Sequence, residues 1–187
     1  MRNLISLALA LLLAACSVFP AQHAETAHIY LLDAKPATVT NKPCGDRILS
    51  VGMPAGQPGF DTPKMAYQRK PYEIEYFATH RWADTPARML RPLIVGALQP
   101  AAIAQGSAAF RLDTELIRLL QDFTSQPSRI RITLRAQLTD VKNNRVIATR
   151  VFDESENAAS DDPYGGVIAA NLALSRLLDD LGTFCGQ

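Results

Sequence analysis

Three thiols are the most reactive side chains in the chain: Cys16, Cys44 and Cys185. Cys16 follows Leu13-Ala14-Ala15. Small residues before a cysteine leave room for an enzyme pocket, and the sulfur offers one nucleophile for thioether formation. If Cys16 is consumed in this way, Cys44 and Cys185 remain as a pair. In an oxidising compartment such a pair most simply forms one disulfide; two free buried thiols are the alternative. His23, His28 and His80 show no ligand spacing with either cysteine, so a metal site is not expected. His80, Arg81, Trp82 and Asp84 form the most varied cluster. Trp82 reads either as a packing residue or, if exposed, as a partner contact. Arg129, Arg131 and Arg135 fall on one face of a strand. They make either a surface for an anionic partner or a solvated face paired with residues such as Asp113 and Glu115.

Catalysis finds little support. There is no Gly-x-Ser-x-Gly elbow, no Gly-rich loop before a Lys and no His-Glu-x-x-His. Asp161-Asp162 reads as a helix start, and Glu73 and Glu75 as a solvated strand face. A net charge of +1 over 187 residues, without a basic block, gives no electrostatic case for nucleic acid or an anionic membrane surface.

The elements that position these residues follow from periodicity. Ile29 to Leu32, Arg47 to Gly52, Lys64 to Arg69 and Tyr72 to Ala78 read as strands, and 54–63 as a Pro- and Gly-rich loop. In Tyr72 to Ala78, Tyr72, Ile74 and Tyr76 form one face. Thr85 and Pro86 open a helix. Pro92 requires that helix to start near Arg91 or to kink. Phe110 to Leu116 alternates as a strand whose end is open. Ile130, Ile132, Leu134, Ala136 and Leu138 alternate with polar neighbours, Asn143-Asn144 turns the chain, and Arg145 to Asp153 returns antiparallel. Asp162 and Pro163 open a terminal helix with Ala170, Leu174, Leu177, Leu181 and Phe184 on one face; Asn171 and Ser175 sit beside that stripe. The expected fold is α+β: a single domain with a mixed, largely antiparallel sheet and two main helices packed on one face.

The N-terminus is a targeting segment. Arg2 precedes an apolar run from Leu4 to Ala15, too short for the roughly 20 residues that cross a bilayer. Leu13-Ala14-Ala15-Cys16 resembles the bacterial lipobox. That resemblance implies a signal peptide over 1–15 and a covalent diacylglycerol and N-acyl lipid on Cys16, with no other cofactor. Residues 16–27 then form a lipidated tether and 28–187 the domain. Ser17, in place of Asp, implies the outer membrane by similarity to enterobacterial sorting rules.

The order of features resembles the ABC-type transport auxiliary lipoprotein family. It runs from the lipobox through Tyr30-Leu31-Leu32 and Tyr76…Arg81-Trp82-Ala83-Asp84-x-Pro86. Phe110-Arg111-Leu112-Asp113, Leu134 to Leu138, Arg145-Val146-Ile147-Ala148 and an Ala/Leu-rich last helix complete it. The resemblance implies a non-enzymatic component that docks a mammalian-cell-entry (MCE) domain protein, a periplasmic lipid conduit, at the periplasmic face of the outer membrane. The Cys44 and Cys185 pair and Pro92 depart from the family pattern. A stand-alone lipoprotein assisting assembly of an outer-membrane complex is the alternative, and a periplasmic hydrolase the third class.

Overall fold

The computed structural model describes residues 26–38, 43–99, 101 and 108–186; the signal peptide expected over 1–15 and Cys16 lie outside them. Among the described residues the chain runs β1 (His28–Tyr30), β2 (Leu49–Val51), β3 (Ala55–Gly56), β4 (Lys64–Gln68), β5 (Glu75–Trp82) and α1 (Pro86–Ala97). Then come β6 (Phe110–Asp122), β7 (Arg129–Asp140), β8 (Arg145–Asn157) and α2 (Pro163–Gly186).

The strands form one mixed sheet ordered β1-β5-β4-β6-β7-β8. Strands β6, β7 and β8 make an antiparallel meander in the register that their alternation predicts, with Leu112 opposite Leu138 and Leu134 opposite both Leu116 and Phe152. The turn between β7 and β8 places Asn144 at φ 48°, a left-handed conformation that Asn tolerates. The Asp140 carboxylate accepts from the Asn143 N–H at 3.1 Å and fixes that turn.

Strands β2, β3 and β4 lie end to end along the other edge of β6, all parallel to it, opposite Phe110 to Leu112, Leu116 and Leu120 to Asp122 respectively. They are one interrupted strand. Strand β3 falls within the stretch that composition marks as loop, because its backbone pairs although its Gly and Pro neighbours carry no alternating pattern.

Helix α1 packs on β2, β3 and β6, and α2 packs on β6, β7 and β8. The core lies between them and the sheet: Leu90 and Ile94 from α1, Leu174, Leu177 and Leu181 from α2, and Ile132, Leu134 and Leu138 from β7 are all buried. Each such side chain stabilises the fold by about 2 kcal/mol. Gly166 brings α2 against the sheet, since a Cβ there would meet Gln121 Oε1 at 2.3 Å.

Two local expectations change. Strand β5 starts at Glu75, after Tyr72 turns the chain at φ 67°. The aromatic and aliphatic face of that stretch, Tyr72, Ile74 and Tyr76, is exposed. Glu75 turns inward because the Tyr67 hydroxyl donates to it at 3.0 Å and Arg69 Nε at 2.7 Å. Those bonds, the Arg69 ones first, hold the Glu75 carboxyl below its ordinary range. Helix α1 in turn starts at Pro86 and not near Arg91, and it continues past Pro92. Pro92 is exposed, beside exposed Arg88 one turn earlier, so water can serve the carbonyl that its missing N–H leaves.

Candidate functional site

Residues 31–38 carry no periodic pattern, yet they are the most specifically held loop in the protein. They run extended along α2, and three α2 side chains spaced by four residues bind their backbone. Asn171 Oδ1 accepts from the Asp33 N–H at 2.7 Å. Ser175 Oγ donates to the Lys35 carbonyl at 2.6 Å. The Asp179 carboxylate accepts from the N–H groups of Ala37 and Thr38 at 3.1 Å. Residues four apart lie on one helix face, so the ladder satisfies backbone groups that no sheet reaches. The strap ends near a second tie, the disulfide joining buried Cys44 to buried Cys185 across 141 residues. Arg47 Nη1 donates to the Cys185 carbonyl at 2.7 Å beside it. Residues 33–38 and Cys44 are therefore fastened to α2.

Strap, α1 and α2 enclose a cleft of about 500 Å³. Its apolar walls include Ala34, Pro36, Pro43, Leu93, Ala97 and Leu178. Its ionisable lining residues are Asp33, Lys35 and Asp179, and the Asp179 carboxylate is already taken by the Ala37 and Thr38 N–H groups.

The residues singled out by sequence have definite places. Trp82 is only 3% exposed and packs in the core, its N–H donating to the Pro63 carbonyl at 2.8 Å. This corrects the partner-contact reading: as the last residue of β5 it faces inward, beside Tyr30 of β1.

The arginine row is real, since Arg129, Arg131 and Arg135 share the outer face of β7. Two of its three charges are paired within the protein. Arg135 pairs with Glu115, Arg131 Nη1 lies 3.8 Å from Asp122, and Arg129 donates to Ser125 Oγ at 2.7 Å. Burial would raise the Asp122 carboxyl. Its bonds from Thr124, with Arg131 and Arg129 nearby, outweigh that and hold it below the ordinary range. Two of the three arginines thus face carboxylates of β6, while Arg129 is bonded to a neutral hydroxyl. Asp113 pairs with Arg111, not with the row.

Asp161 and Asp162 are not a catalytic pair. Asp162 Oδ1 accepts from the Gly165 N–H at 2.7 Å and caps α2, and Asp161 Oδ1 accepts from the Ser128 N–H at 2.6 Å. Those backbone donors lower both carboxyls. Thr85 stands before α1 but makes no side-chain cap bond. No metal-binding cluster of His, Cys, Asp and Glu occurs among the described residues.

Sequence reading missed two features. The Asn171, Ser175 and Asp179 ladder left a trace, three short polar residues at helical spacing in an apolar helix. The second is the outer edge of β8, a strand of 13 residues that ends the sheet and pairs only with β7 among the described residues. Val146, Ile147 and Val151 are exposed along it. Long unpaired edges are rare because they template pairing with another chain.

Together these features define a class: a single-domain α+β scaffold, strapped and stapled near its N-terminal side, with an open strand edge. The model of the ABC-type transport auxiliary lipoprotein component family matches residues 30–182, and the chain belongs to that family. It is thus a lipoprotein of the cell envelope that serves as an auxiliary transport component. A crystallised Xanthomonas campestris protein of the DUF330 family model shares the fold, with a TM-score of 0.75 at 22% identity over 83% of this chain and 93% of that one. A second, uncharacterised protein superposes with a TM-score of 0.69 at 16% identity, over 84% and 97% of the two chains. An uncharacterised protein of Bradyrhizobium diazoefficiens is 27% identical over 113 residues, which are 56% of this chain and 30% of that protein.

Proposed function

We propose that the protein is a non-enzymatic, lipid-anchored component of an ABC/MCE-type intermembrane lipid transport system. It docks the periplasmic conduit at the outer membrane. The anchor is the acyl-modified Cys16 at the end of the 16–27 tether, and the partner is an MCE-domain protein. The observation that carries the docking role is the open β8 edge. An extended segment of a partner can add to it as a further strand, main-chain hydrogen bonds giving affinity and Val146, Ile147 and Val151 giving contact area. Anchoring confines the edge near one membrane and raises its effective concentration for a partner that spans the periplasm.

Crosslinking from a photoreactive residue placed at Val146, exposed on the same strand, followed by purification, tests this. The expected product is an MCE-domain protein, lost when Val151→Lys and Ile147→Lys put charge on the edge. Capture of outer-membrane assembly components alone would favour the stand-alone reading. The Cys16→Ser variant should remain an unlipidated precursor; normal acyl labelling of it would remove the anchor from the proposal.

A further inference from the structure

Strands β1, β5 and β4 form a wing beyond the main contacts of both helices. Its core-side face has its own packing: Phe77 stacks with Tyr67 at 4.4 Å between ring centres and meets Phe123 at 6.4 Å, and Tyr30 stacks with His80 at 5.9 Å. That packing stiffens the wing and leaves its outer face unexplained.

On the outer face Ile29, Arg81 and Lys64 stand side by side across the three strands, and all three are exposed. Arg81 and Lys64 are directly opposite each other, a destabilising arrangement for like charges. Neither forms an ion pair with a carboxylate among the described residues, although the neighbouring cations Arg69 and Lys70 do. Lys64 Nζ lies 5.6 Å from the centre of the Tyr76 ring. These side chains border a concavity of about 310 Å³ whose wall includes Ala27, where the tether reaches the domain. Tyr72, fully exposed at the tip of the β4–β5 hairpin, and Ile74, 44% exposed, extend the surface with apolar area.

We infer that this outer face of the wing rests on the phospholipid headgroup layer of the membrane that carries the anchor. Three observations converge on that occupant. Two cations that pair with no carboxylate among the described residues stand at opposed register positions, where an anion would relieve their repulsion. The aromatic and aliphatic groups around them, Tyr76, Tyr72, Ile74 and Ile29, are of the kind that settle at a membrane interface. The tether leaves the domain at this concavity and spans on the order of 35 Å when extended, so no other described surface is attached closer to the lipid. The headgroup phosphate sits between Lys64 and Arg81, and the hairpin tip enters the interfacial region.

The inference rests on the Cys16 anchor proposed above, and its test separates the two. With Cys16 acylated and Cys44 joined to Cys185, Tyr72→Cys introduces a single free thiol for a fluorescent label. The lipidated protein is placed in vesicles of phosphatidylethanolamine and phosphatidylglycerol containing a headgroup-level paramagnetic quencher. The label at 72 is expected to be quenched, and one on Leu172→Cys, on the exposed face of α2, is not. A cation near an anionic surface shifts the contact equilibrium constant about fivefold, so Lys64→Gln with Arg81→Gln should lower the ratio of contacting to free domain roughly twenty-five-fold. Both positions are exposed, and unchanged circular dichroism will confirm folding. Equal quenching at 72 and 172, or full quenching in the double variant, would overturn the inference while flotation of the protein with the vesicles leaves the anchor standing. Protein that fails to float overturns both. Quenching relieved by an added MCE-domain protein would reassign the face to that protein.

Discussion

Reduction of the disulfide is the most quantitative perturbation available. Cys44 and Cys185 are joined across 141 residues, and in the chain-entropy model a loop that long restricts the unfolded ensemble by about 5 kcal/mol. Oxidised and reduced wild-type protein have the same heavy atoms, so the comparison avoids the cavity that cysteine substitution would leave at two buried sites. Urea unfolding followed by circular dichroism gives the difference. At an m-value of about 2 kcal/mol/M the midpoint should fall by roughly 2.5 M on reduction. The m-value should rise as well, because the reduced unfolded chain is less compact and exposes more surface. The native state carries a second readout. The bond closes the loop that holds residues 31–38 on α2, so in the reduced protein the Asp33, Ala37 and Thr38 amides should exchange faster while those of β7 stay protected. Midpoints within about 0.5 M of one another would refute the reasoning. They would mean that core packing alone holds both ends of the chain together and that the staple adds nothing to stability.

Trp82→Ala should destabilise by about 3–5 kcal/mol in the same assay, the cost of truncating a buried aromatic ring, because Trp82 is a core residue. Stability should also fall in acid. Glu75, Asp122, Asp140, Asp161 and Asp162 have carboxyls held below their ordinary range in the folded protein, so their contribution is complete above the unfolded-state values near 4 and is lost as pH drops through the lower folded values. Thermal melts between pH 6 and pH 2.5 should show that loss, with Asp162→Asn reducing its slope; a slope unchanged by that variant would remove Asp162 from the account.

How far the sequence reaches depends on how local the deciding forces are. The β6–β8 meander and α2 are legible because each carries its own pattern: strict alternation in Ile130 to Leu138, and Leu174, Leu177 and Leu181 at helical spacing. The disulfide is legible by elimination once Cys16 is assigned to lipid. Strand β5 is less legible because a tertiary event, Arg69 and Tyr67 binding Glu75, decides which side faces in, and alternation alone cannot tell the two sides apart. The strap is invisible because its order comes from Asn171, Ser175 and Asp179, about 140 residues away. For Trp82 and the arginine row the sequence left two readings open, and the structure favours packing for Trp82 and internal pairing for Arg131 and Arg135. Chemically prominent side chains invite a functional reading, and here burial and internal ion pairs have already used them.

The positions of the remaining surfaces constrain how the protein can work. Strand β1 and strand β8 terminate opposite ends of the sheet order, five strand spacings apart. At about 4.8 Å per spacing that separates them by roughly 24 Å. The tether enters at β1, so contact of that wing with the membrane turns β8 away from the headgroups and toward the periplasm. A partner segment can then add to β8 without competing with lipid for the same backbone. The two surfaces should fail independently. Charge placed at Val151 should abolish partner capture and leave quenching at 72 intact, and neutralised Lys64 and Arg81 should do the reverse. Loss of both functions from either change alone would mean that one surface serves both roles, and the edge-to-edge division of labour would be wrong.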